Sequence, residues 1–370
     1  MAPRWRSTLP RVSCRGAVAG RAAALLGAGL LACGGDTPPA DPTGPDSDPI
    51  PGIMPPVQFS SPVTGELRRV LFYGAYYDQF PGTPAGDYNC GGKAYDGHRG
   101  VDILLRNFQV QDSGVAVVAA APGTVTMVRD GEFDRSTENG VGGFGNHVAL
   151  THAGGVVSIY GHLRRNSIAV GLGQSASTGT VLGLVGSSGN SNWPHLHFEV
   201  QWPSAVDPFH GPCNTPASFW AAQLAYQDSF MVTDAGIVRN RVTFPQLLER
   251  PKQDTITTAD SALTYWLQFF NVQTTAVRYD VYAPDSSLFQ SFPGSVSRTF
   301  SMRYLTFRLT VAGALTTPGQ WRIDYYQGAT RLNTQPFVLV AAPVAAGALR
   351  RRPAAAEIVM LEQGGESVGR

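Results

Sequence analysis

Histidine is confined to one part of this 370-residue chain, and two of the histidines stand in a pattern suited to chemistry. The seven histidines are His98, His147, His152, His162, His195, His197 and His210. His195 and His197 flank Leu196, and on a β-strand residues i and i+2 face the same side, roughly 7 Å apart. Two imidazoles on one strand face are typical of metal ligands or acid–base groups, although two ordinary surface histidines give the same pattern.

A second element, HRGVD at residues 98–102, adds an imidazole and a carboxylate. A fully extended strand would hold His98 and Asp102 about 13 Å apart, so the chain must bend for both to reach one ion, and Gly100 permits that bend. His162 ends an alternating run, SIYGHL. Two imidazoles and one carboxylate are a common catalytic zinc set that leaves a coordination position for water. The sequence contains no HExxH, so the proton-handling groups must be the remaining histidines.

The segments that carry these groups are predicted to be short antiparallel strands. Residues 57–220 contain apolar runs separated by glycine, without a long amphipathic helix. Val115–Ala120 and Thr124–Arg129 flank Pro122-Gly123, which predicts a hairpin. Asn146–His152 and Val156–His162 flank Ala153-Gly154-Gly155, which predicts another. The fold class is therefore mainly β.

Taken together, these elements resemble family M23 of the metallopeptidases, the lysostaphin-like and LytM-like glycyl-glycine and murein endopeptidases. GHRGVDI is similar to the family's HxGxD element, AAAPGTVTMV to its central hairpin and SIYGHL to the element with its middle histidine. GTVLGLVGSSGNSNWPHLHFEV is similar to the closing stretch through HxH. The resemblance covers roughly residues 60–210, and its combined motifs are highly specific.

The resemblance implies an antiparallel β-sheet peptidase domain over residues 57–220 with a zinc centre. It implies that Zn²⁺ is bound by His98, Asp102 and His197. It also implies that His162 and His195 flank the metal-bound water and the substrate. His147, His152 and His210 lie outside the family's catalytic positions, and we interpret them as structural or incidental.

The chain departs from the family in an insertion at residues 129–143, RDGEFDRSTENGVGG, which is longer than the typical family turn. The insertion carries four carboxylates, those of Asp130, Glu132, Asp134 and Glu138. A solvated surface loop is the simplest interpretation. A wall of the cleft or a cation site is the alternative.

A second domain is predicted over residues 228–341, because short strands with regular alternation recur there. Val277, Tyr279 and Val281 alternate with Arg278 and Asp280, as expected of a half-buried strand. Such strands predict a β-sandwich of immunoglobulin-like type. Residues 342–370, rich in Ala, Arg and Gly, are predicted to be a disordered tail.

The N-terminus is predicted to be a processing segment. A basic region precedes the apolar run 22–32, which is too short for a membrane-spanning helix and fits a secretory signal. Leu30-Leu31-Ala32-Cys33 resembles the lipobox of bacterial lipoproteins, although an ordinary signal peptide with a chance Cys33 is the alternative. We therefore expect a signal peptide at 1–33, lipid on Cys33 and a flexible tether at 34–56, whose composition cannot form a core. The protein is then exported and anchored in a membrane, facing the periplasm or the cell surface.

The cysteines follow from this interpretation. Of the four cysteines, Cys14 lies in the leader and Cys33 carries lipid, which leaves Cys90 and Cys213. In an oxidising exported compartment these two are expected to form a disulfide across the histidine-rich segment. Two buried free thiols are the alternative.

The function predicted from sequence is zinc-dependent hydrolysis of peptide bonds in peptidoglycan cross-bridges. The alternatives are a secreted or surface metallopeptidase that acts on Gly-rich proteins and a non-catalytic regulator of cell-wall amidases. The regulator is disfavoured because the full ligand set and both extra histidines are present. The expected partners are peptidoglycan peptides and a membrane, and a net charge of +1 gives no reason to expect nucleic acid.

Overall fold

The computed structural model of the protein describes residues 54–82, 84–140, 142–342, 355–362 and 365–367. The predicted signal peptide, Cys33 and all but the last residues of the predicted tether lie outside the described residues. Within the described part of the chain, no helix combines the length and the apolar character that a membrane span requires.

The first half of the described chain is a β-region with one short helix. Its strands are β1 (Phe72–Ala75), β2 (Val101–Leu104), β3 (Ala116–Val118), β4 (Gly123–Arg129), β5 (His147–Thr151), β6 (Val157–Gly161), β7 (Ser175–Ala176), β8 (Val181–Leu184), β9 (His195–Gln201) and β10 (Ala205–Val206), and the helix is α1 (Phe108–Asp112). An antiparallel sheet runs β1-β2-β9-β6-β5-β4-β7, with β10 paired to β9, and β3 pairs with β8 separately. The predicted mainly β, antiparallel fold class is confirmed.

The central strand β9 shows how the sheet separates core from site. Its apolar residues Leu196, Phe198 and Val200 are completely buried in the core of this region. The alternate residues of the strand, which include His195 and His197, lie on the opposite face because side chains alternate along a strand. Burial of the apolar face therefore holds the strand in the core, and the opposite face carries the two histidines.

Of the two predicted hairpins, one is confirmed and one is wrong. β5 and β6 pair antiparallel across the short 3₁₀ turn Ala153–Gly155. At Pro122-Gly123, however, β3 pairs with β8 and β4 pairs with β5. A Cβ on Gly123 would lie 2.7 Å from His152 Nδ1, and His152 Nδ1 donates to the Pro122 carbonyl at 2.7 Å. The Pro-Gly pair therefore marks a close approach to His152 and not a hairpin turn.

The second half is a sandwich of two sheets. Its elements are β11 (Met231–Arg239), α2 (Phe244–Leu248), β12 (Thr255–Thr257), β13 (Ala262–Phe270), β14 (Thr275–Tyr282), β15 (Leu288–Val296), β16 (Met302–Thr310), β17 (Gly319–Gln327), β18 (Thr330–Val340), β19 (Ala356–Glu362) and β20 (Gly365–Ser367). One sheet runs β11-β13-β16-β19-β20 and the other runs β12-β18-β17-β14-β15. Val277, Tyr279 and Val281 are buried in the core, as their alternation predicts.

The structure differs from the expectation of disorder over residues 342–370. Ala356–Glu362 forms β19, which pairs antiparallel with β16, and β20 pairs with β19. The run Ile358-Val359-Met360-Leu361 is rich in residues that favour strands, and the edge of the sheet at β16 offers unpaired backbone groups to it. The prediction of disorder was based on the Ala-, Arg- and Gly-rich composition around this run, and it therefore missed the strand.

A shared apolar cluster joins the two halves. It contains Phe72, Leu104, Phe108 and Trp193 from the first half together with residues of the sandwich, among them Tyr304. The Trp193 ring lies 5.5 Å from the Tyr304 ring and 5.8 Å from the Phe244 ring. The sandwich therefore packs directly against the segment that leads into β9.

The predicted disulfide between Cys90 and Cys213 is confirmed. The two Cα atoms lie 5.2 Å apart, and the bridge joins residues 123 positions apart in the chain. It ties the loop before β2 to the segment after β10, so it closes the histidine-rich region at both ends.

Candidate metal centre and its cleft

Two imidazole nitrogens and one carboxylate oxygen meet at the predicted metal site. His98 Nε2 lies 3.1 Å from Asp102 Oδ1 and 3.3 Å from His197 Nδ1, and His197 Nδ1 lies 3.0 Å from Asp102 Oδ1. All three residues are buried. Donor atoms that each bind one tetrahedral Zn²⁺ at about 2 Å stand about 3.3 Å apart, so this nearly equilateral triangle fits the ion.

Strand register brings the ligands together. Asp102 on β2 is the direct cross-strand partner of His197 on β9, and Gly161 at the end of β6 flanks His197 on its other side. The chain bends at Gly100, as expected, yet Gly100 is not among the residues with positive φ. A Cβ on Gly100 would stand 2.6 Å from His197 Cε1 and 2.8 Å from the Phe198 carbonyl oxygen. Glycine is therefore required for the approach of the imidazole and not for the backbone conformation.

In three histidines of the site, the ring nitrogen Nδ1 is hydrogen-bonded to a backbone carbonyl. His98 Nδ1 donates to the Tyr76 carbonyl, His162 Nδ1 to the Ser188 carbonyl and His195 Nδ1 to the Trp193 carbonyl, each at 2.7 Å. A proton on Nδ1 leaves a lone pair on Nε2 of the neutral ring. In each of these three rings the available nitrogen is therefore Nε2.

His162 and His195 stand beside the three ligands. Their ring centroids are 4.6 Å apart, and the His162 ring lies 5.8 Å from the His197 ring. His195 Nε2 is 3.6 Å from Asp102 Oδ1. His162 has a φ of 61°, a left-handed backbone conformation that is rare outside glycine and is found most often at functional sites.

Burial shapes the charge of these groups. It lowers the pKa of His195, and together with the charges of His195 and His197 it lowers the pKa of His162 well below the ordinary value. Both rings are therefore neutral near pH 7 and can accept a proton. Burial alone would raise the pKa of Asp102, but the neighbouring histidines, foremost His98, hold it well below its usual range, so the carboxylate is ionised.

Two residues at the site were missed in the sequence. Glu199 Oε2 lies 3.5 Å from His197 Nε2, and the strand spacing of two from His197 could have revealed it. Burial opposes a charge on His197, but the Asp102 and Glu199 carboxylates outweigh it and raise the pKa of His197 to about 9. Tyr95 gave no sequence signal. Its hydroxyl donates to Asp102 Oδ2 at 3.3 Å and its ring stacks on the His98 ring at 4.3 Å.

The acidic insertion is hydrogen-bonded to two neighbouring loops, the one after β6 and the one that carries Ser188. Asp130 Oδ1 accepts from the Asn166 amide at 2.8 Å, and Asp134 Oδ2 accepts from the Arg165 amide at 3.0 Å. The backbone amide of Ser187 donates to the Asp134 carbonyl at 3.0 Å. These carboxylates are occupied by the chain itself, which argues against a cation site, whereas Asn139 of the insertion lines the cleft described next.

The three remaining histidines bind the protein backbone. His147 Nδ1 donates to the Gly145 carbonyl and His152 Nδ1 to the Pro122 carbonyl, each at 2.7 Å. His210 is exposed and its Nδ1 donates to the Pro216 carbonyl at 3.0 Å. Their positions agree with a structural role.

A cleft of about 620 Å³ opens at the site. Asp102, His195 and Tyr95 line one part of it, and Arg298 and Arg303 of the sandwich line another. The cleft therefore begins at the metal ligands and ends at the second domain. Tyr95 is 53% exposed within it, so its phenol can meet a bound molecule.

Comparison with known proteins locates the similarity in the first domain. Residues 96–208 match Peptidase family M23. A protein of Neisseria meningitidis serogroup B, DD-carboxypeptidase/endopeptidase Mpg, is 32% identical over 145 residues, which are 39% of this chain and 29% of that protein. Cell division protein DipM of Caulobacter vibrioides is 36% identical over 96 residues, which are 26% of this chain and 15% of that protein. The matched part of the chain thus spans less than a third of these curated relatives.

Among solved structures, the chain is similar to the catalytic domain of the antimicrobial peptidase lysostaphin from Staphylococcus simulans. The identity is 25%, the similarity covers 37% of this chain and 87% of that one, and the TM-score is 0.25.

Proposed function

We propose that this chain is a zinc-dependent endopeptidase that hydrolyses peptide bonds in peptidoglycan cross-bridges, on the ground that residues 96–208 match Peptidase family M23. The observation that carries the proposal is the convergence of His98, Asp102 and His197 beside two further neutral imidazoles. The meningococcal relative is named as a DD-carboxypeptidase/endopeptidase, which supports a peptide substrate.

The protein's own residues can carry out the proton transfers of peptide hydrolysis. When bound, Zn²⁺ supplies Lewis-acid activation of a water molecule and of the scissile carbonyl. His195 accepts the water proton on Nε2, since its Nδ1 proton is held by the Trp193 carbonyl. His162 offers Nε2 in the same way, and a protonated imidazole stabilises the developing oxyanion. Transfer of the accepted proton to the leaving amine completes the hydrolysis.

The test is digestion of purified peptidoglycan with the purified protein. We expect new free amino groups, no new reducing sugar ends, loss of activity with a chelator and recovery with Zn²⁺. A Gly-rich protein substrate is assayed in parallel. Hydrolysis of that protein alone would replace the proposal by the secreted-peptidase alternative, and hydrolysis of neither substrate would leave the amidase regulator.

We also propose that the mature protein begins at a lipid-bearing Cys33 and faces the periplasm or the cell surface. The motif Leu-Leu-Ala-Cys and the core-free segment after it support the proposal. Cys33→Ser is expected to release the protein from the membrane fraction or to block its processing. Unchanged fractionation and unchanged intact mass would rule lipidation out.

A further inference from the structure

We propose that the sandwich contributes a carboxylate-binding subsite to the active-site cleft, built on Arg298. The inference rests on the proposed hydrolysis of peptides and narrows its substrate to a peptide that carries a free carboxylate. Arg298 lines the same cleft as Asp102 and His195. A substrate bound at the metal site would therefore extend toward it.

The loop that carries Arg298 is docked on the catalytic domain. A Cβ on Gly92 would stand 2.7 Å from Phe300 Cε2, and a Cβ on Gly74 would stand 2.7 Å from Ser301 Oγ. Two glycines of the first domain therefore leave the space that the loop occupies. Side chains at these positions would push the loop away from the cleft.

The sandwich fixes the same loop from its other side. The Asn271 amide donates to the Ser301 carbonyl at 3.0 Å, and the Ser301 amide donates back to Asn271 Oδ1 at 3.1 Å. The Thr299 amide donates to the Val272 carbonyl at 3.0 Å, and the Arg298 amide donates to Thr274 Oγ1 at 2.8 Å. With hydrogen bonds on one side and close packing on the other, the loop presents its side chains at a defined place.

The Arg298 side chain is exposed, and its guanidinium lies 4.5 Å from the centre of the Phe300 ring. Stacking restricts the guanidinium while its N–H groups remain available. In the described part of the chain, no carboxylate lies within ion-pair range of Arg298. Arg303 is half-buried, and its Nη1 donates to the Met302 carbonyl at 2.8 Å.

The charge of the cleft favours an anionic group at this end. Its charged lining residues are Lys93, Asp102, Arg298 and Arg303. Asp102 is committed to the metal centre, and the Lys93 ammonium is buried against the Tyr73 and Gln227 carbonyls. The Arg298 guanidinium thus lines the cleft without a competing carboxylate beyond Asp102 in the lining. Guanidinium binds carboxylate through paired N–H donors, which gives geometric selectivity.

The experiment compares two probes, a cross-linked muropeptide dimer with free carboxylates and the same dimer with its carboxylates converted to amides. We measure kcat/KM for both with the unmodified protein, Arg298→Gln and Arg322→Ala. Arg322 is the matched control, because it is another sandwich arginine stacked on an aromatic ring, at 3.9 Å from the Tyr282 ring, and it does not line the cleft. Binding of both probes to full-length His195→Ala is measured in parallel.

We expect about a tenfold preference for the free carboxylates in the unmodified protein and in Arg322→Ala, weaker at high salt. Arg298→Gln should abolish the preference by weakening only the carboxylate probe. Equal use of both probes by the unmodified protein, or an equal loss on both in Arg298→Gln, would overturn the subsite. If neither probe is cleaved, the proposed function fails, and the binding preference of His195→Ala still decides the subsite.

Discussion

The two halves of this protein are both built mainly from antiparallel strands, but their buried carboxylates have different neighbours. In the sandwich, buried Asp280 accepts from Arg278 Nε at 3.0 Å, and buried Asp324 lies 3.2 Å from Arg331 Nη1. Each carboxylate is neutralised by an arginine close to it in the same sheet. In the first sheet, Asp102 instead meets His98 and His195, whose rings are held by the Tyr76 and Trp193 carbonyls.

The difference separates a structural charge from a functional one. The charge of an acid paired with an arginine in the same sheet is balanced within the protein, and removing one partner would leave a buried charge uncompensated. Imidazoles whose Nδ1 protons are held by carbonyls turn Nε2 lone pairs toward each other, and such lone pairs need a cation or a proton to be satisfied. In the proposed function an ion satisfies these lone pairs in the first sheet, whereas the two acids of the sandwich are paired with arginines.

The strongest test of this contrast removes one metal ligand. His98→Ala, Asp102→Ala and His197→Ala should each lose Zn²⁺ and lower the rate of hydrolysis by roughly 10⁴-fold or more. The reason is that a Lewis acid lowers the activation barrier by several kcal/mol. Metal analysis and peptidoglycan digestion measure both effects. Asp280→Asn is the matched sandwich variant and should keep zinc and rate while it lowers the melting temperature. Full zinc occupancy in any ligand variant would contradict the assignment.

The next test distinguishes the proposed acid–base histidines from the proposed metal ligands. His195→Ala and His162→Ala should keep zinc and fold but lower turnover by about 10²–10⁴-fold, since each removes a positioned acid–base group. Zinc content, melting temperature and turnover are measured on the same samples. If His195→Ala loses zinc while His197→Ala keeps it, His195 is the metal ligand and His197 the acid–base group. If His195→Ala and His162→Ala both turn over at the parental rate, neither residue is an acid–base catalyst.

Reduction of the disulfide should act on one half only. The bridge between Cys90 and Cys213 closes a long loop around the catalytic region, and the chain has no cysteine after Cys213. Cys90→Ala with Cys213→Ala should lower the free energy of unfolding of the catalytic half by roughly 2–5 kcal/mol. Calorimetry with and without reductant checks this. An equal shift throughout the chain would show that the halves unfold as one unit.

The smallest expected effect comes from one methyl group. Gly100→Ala places a Cβ against His197, and overpacking of this kind costs about 1–3 kcal/mol. We expect weaker zinc binding, measured by competition with a chelator, and a lower melting temperature. Gly171→Ala is the control, because a Cβ there meets nothing within 4 Å. Unchanged zinc affinity in Gly100→Ala would mean that the imidazole can move away at no cost.

The sequence identified the three residues that converge better than it identified the residues around them. His98, Asp102 and His197 have chemistry that is visible in their types and spacing, and the alternation of the sandwich strands follows from burial on one face. Tyr95 and Arg298 gave no such signal, because they reach the site through loop paths and domain packing that no local pattern encodes. The error at Pro122-Gly123 has a similar cause, since a distant contact with His152 and not a turn requires that glycine.

Trp193 connects the second domain to His195 of the first domain. Its indole ring packs against Tyr304 and Phe244 of the second domain, while its carbonyl holds the Nδ1 proton of His195. The peptidase domain of this chain is therefore not a module that can be cut out or transplanted intact. A truncation after residue 220 would expose Phe72 and Leu104 to water and remove the aromatic neighbours of Trp193, whose ring would then be held by its hydrogen bond to the Leu105 carbonyl. Any rearrangement that exchanges the second domain must preserve this aromatic contact, or it changes the surroundings of His195, the proposed proton acceptor, as well as the domain.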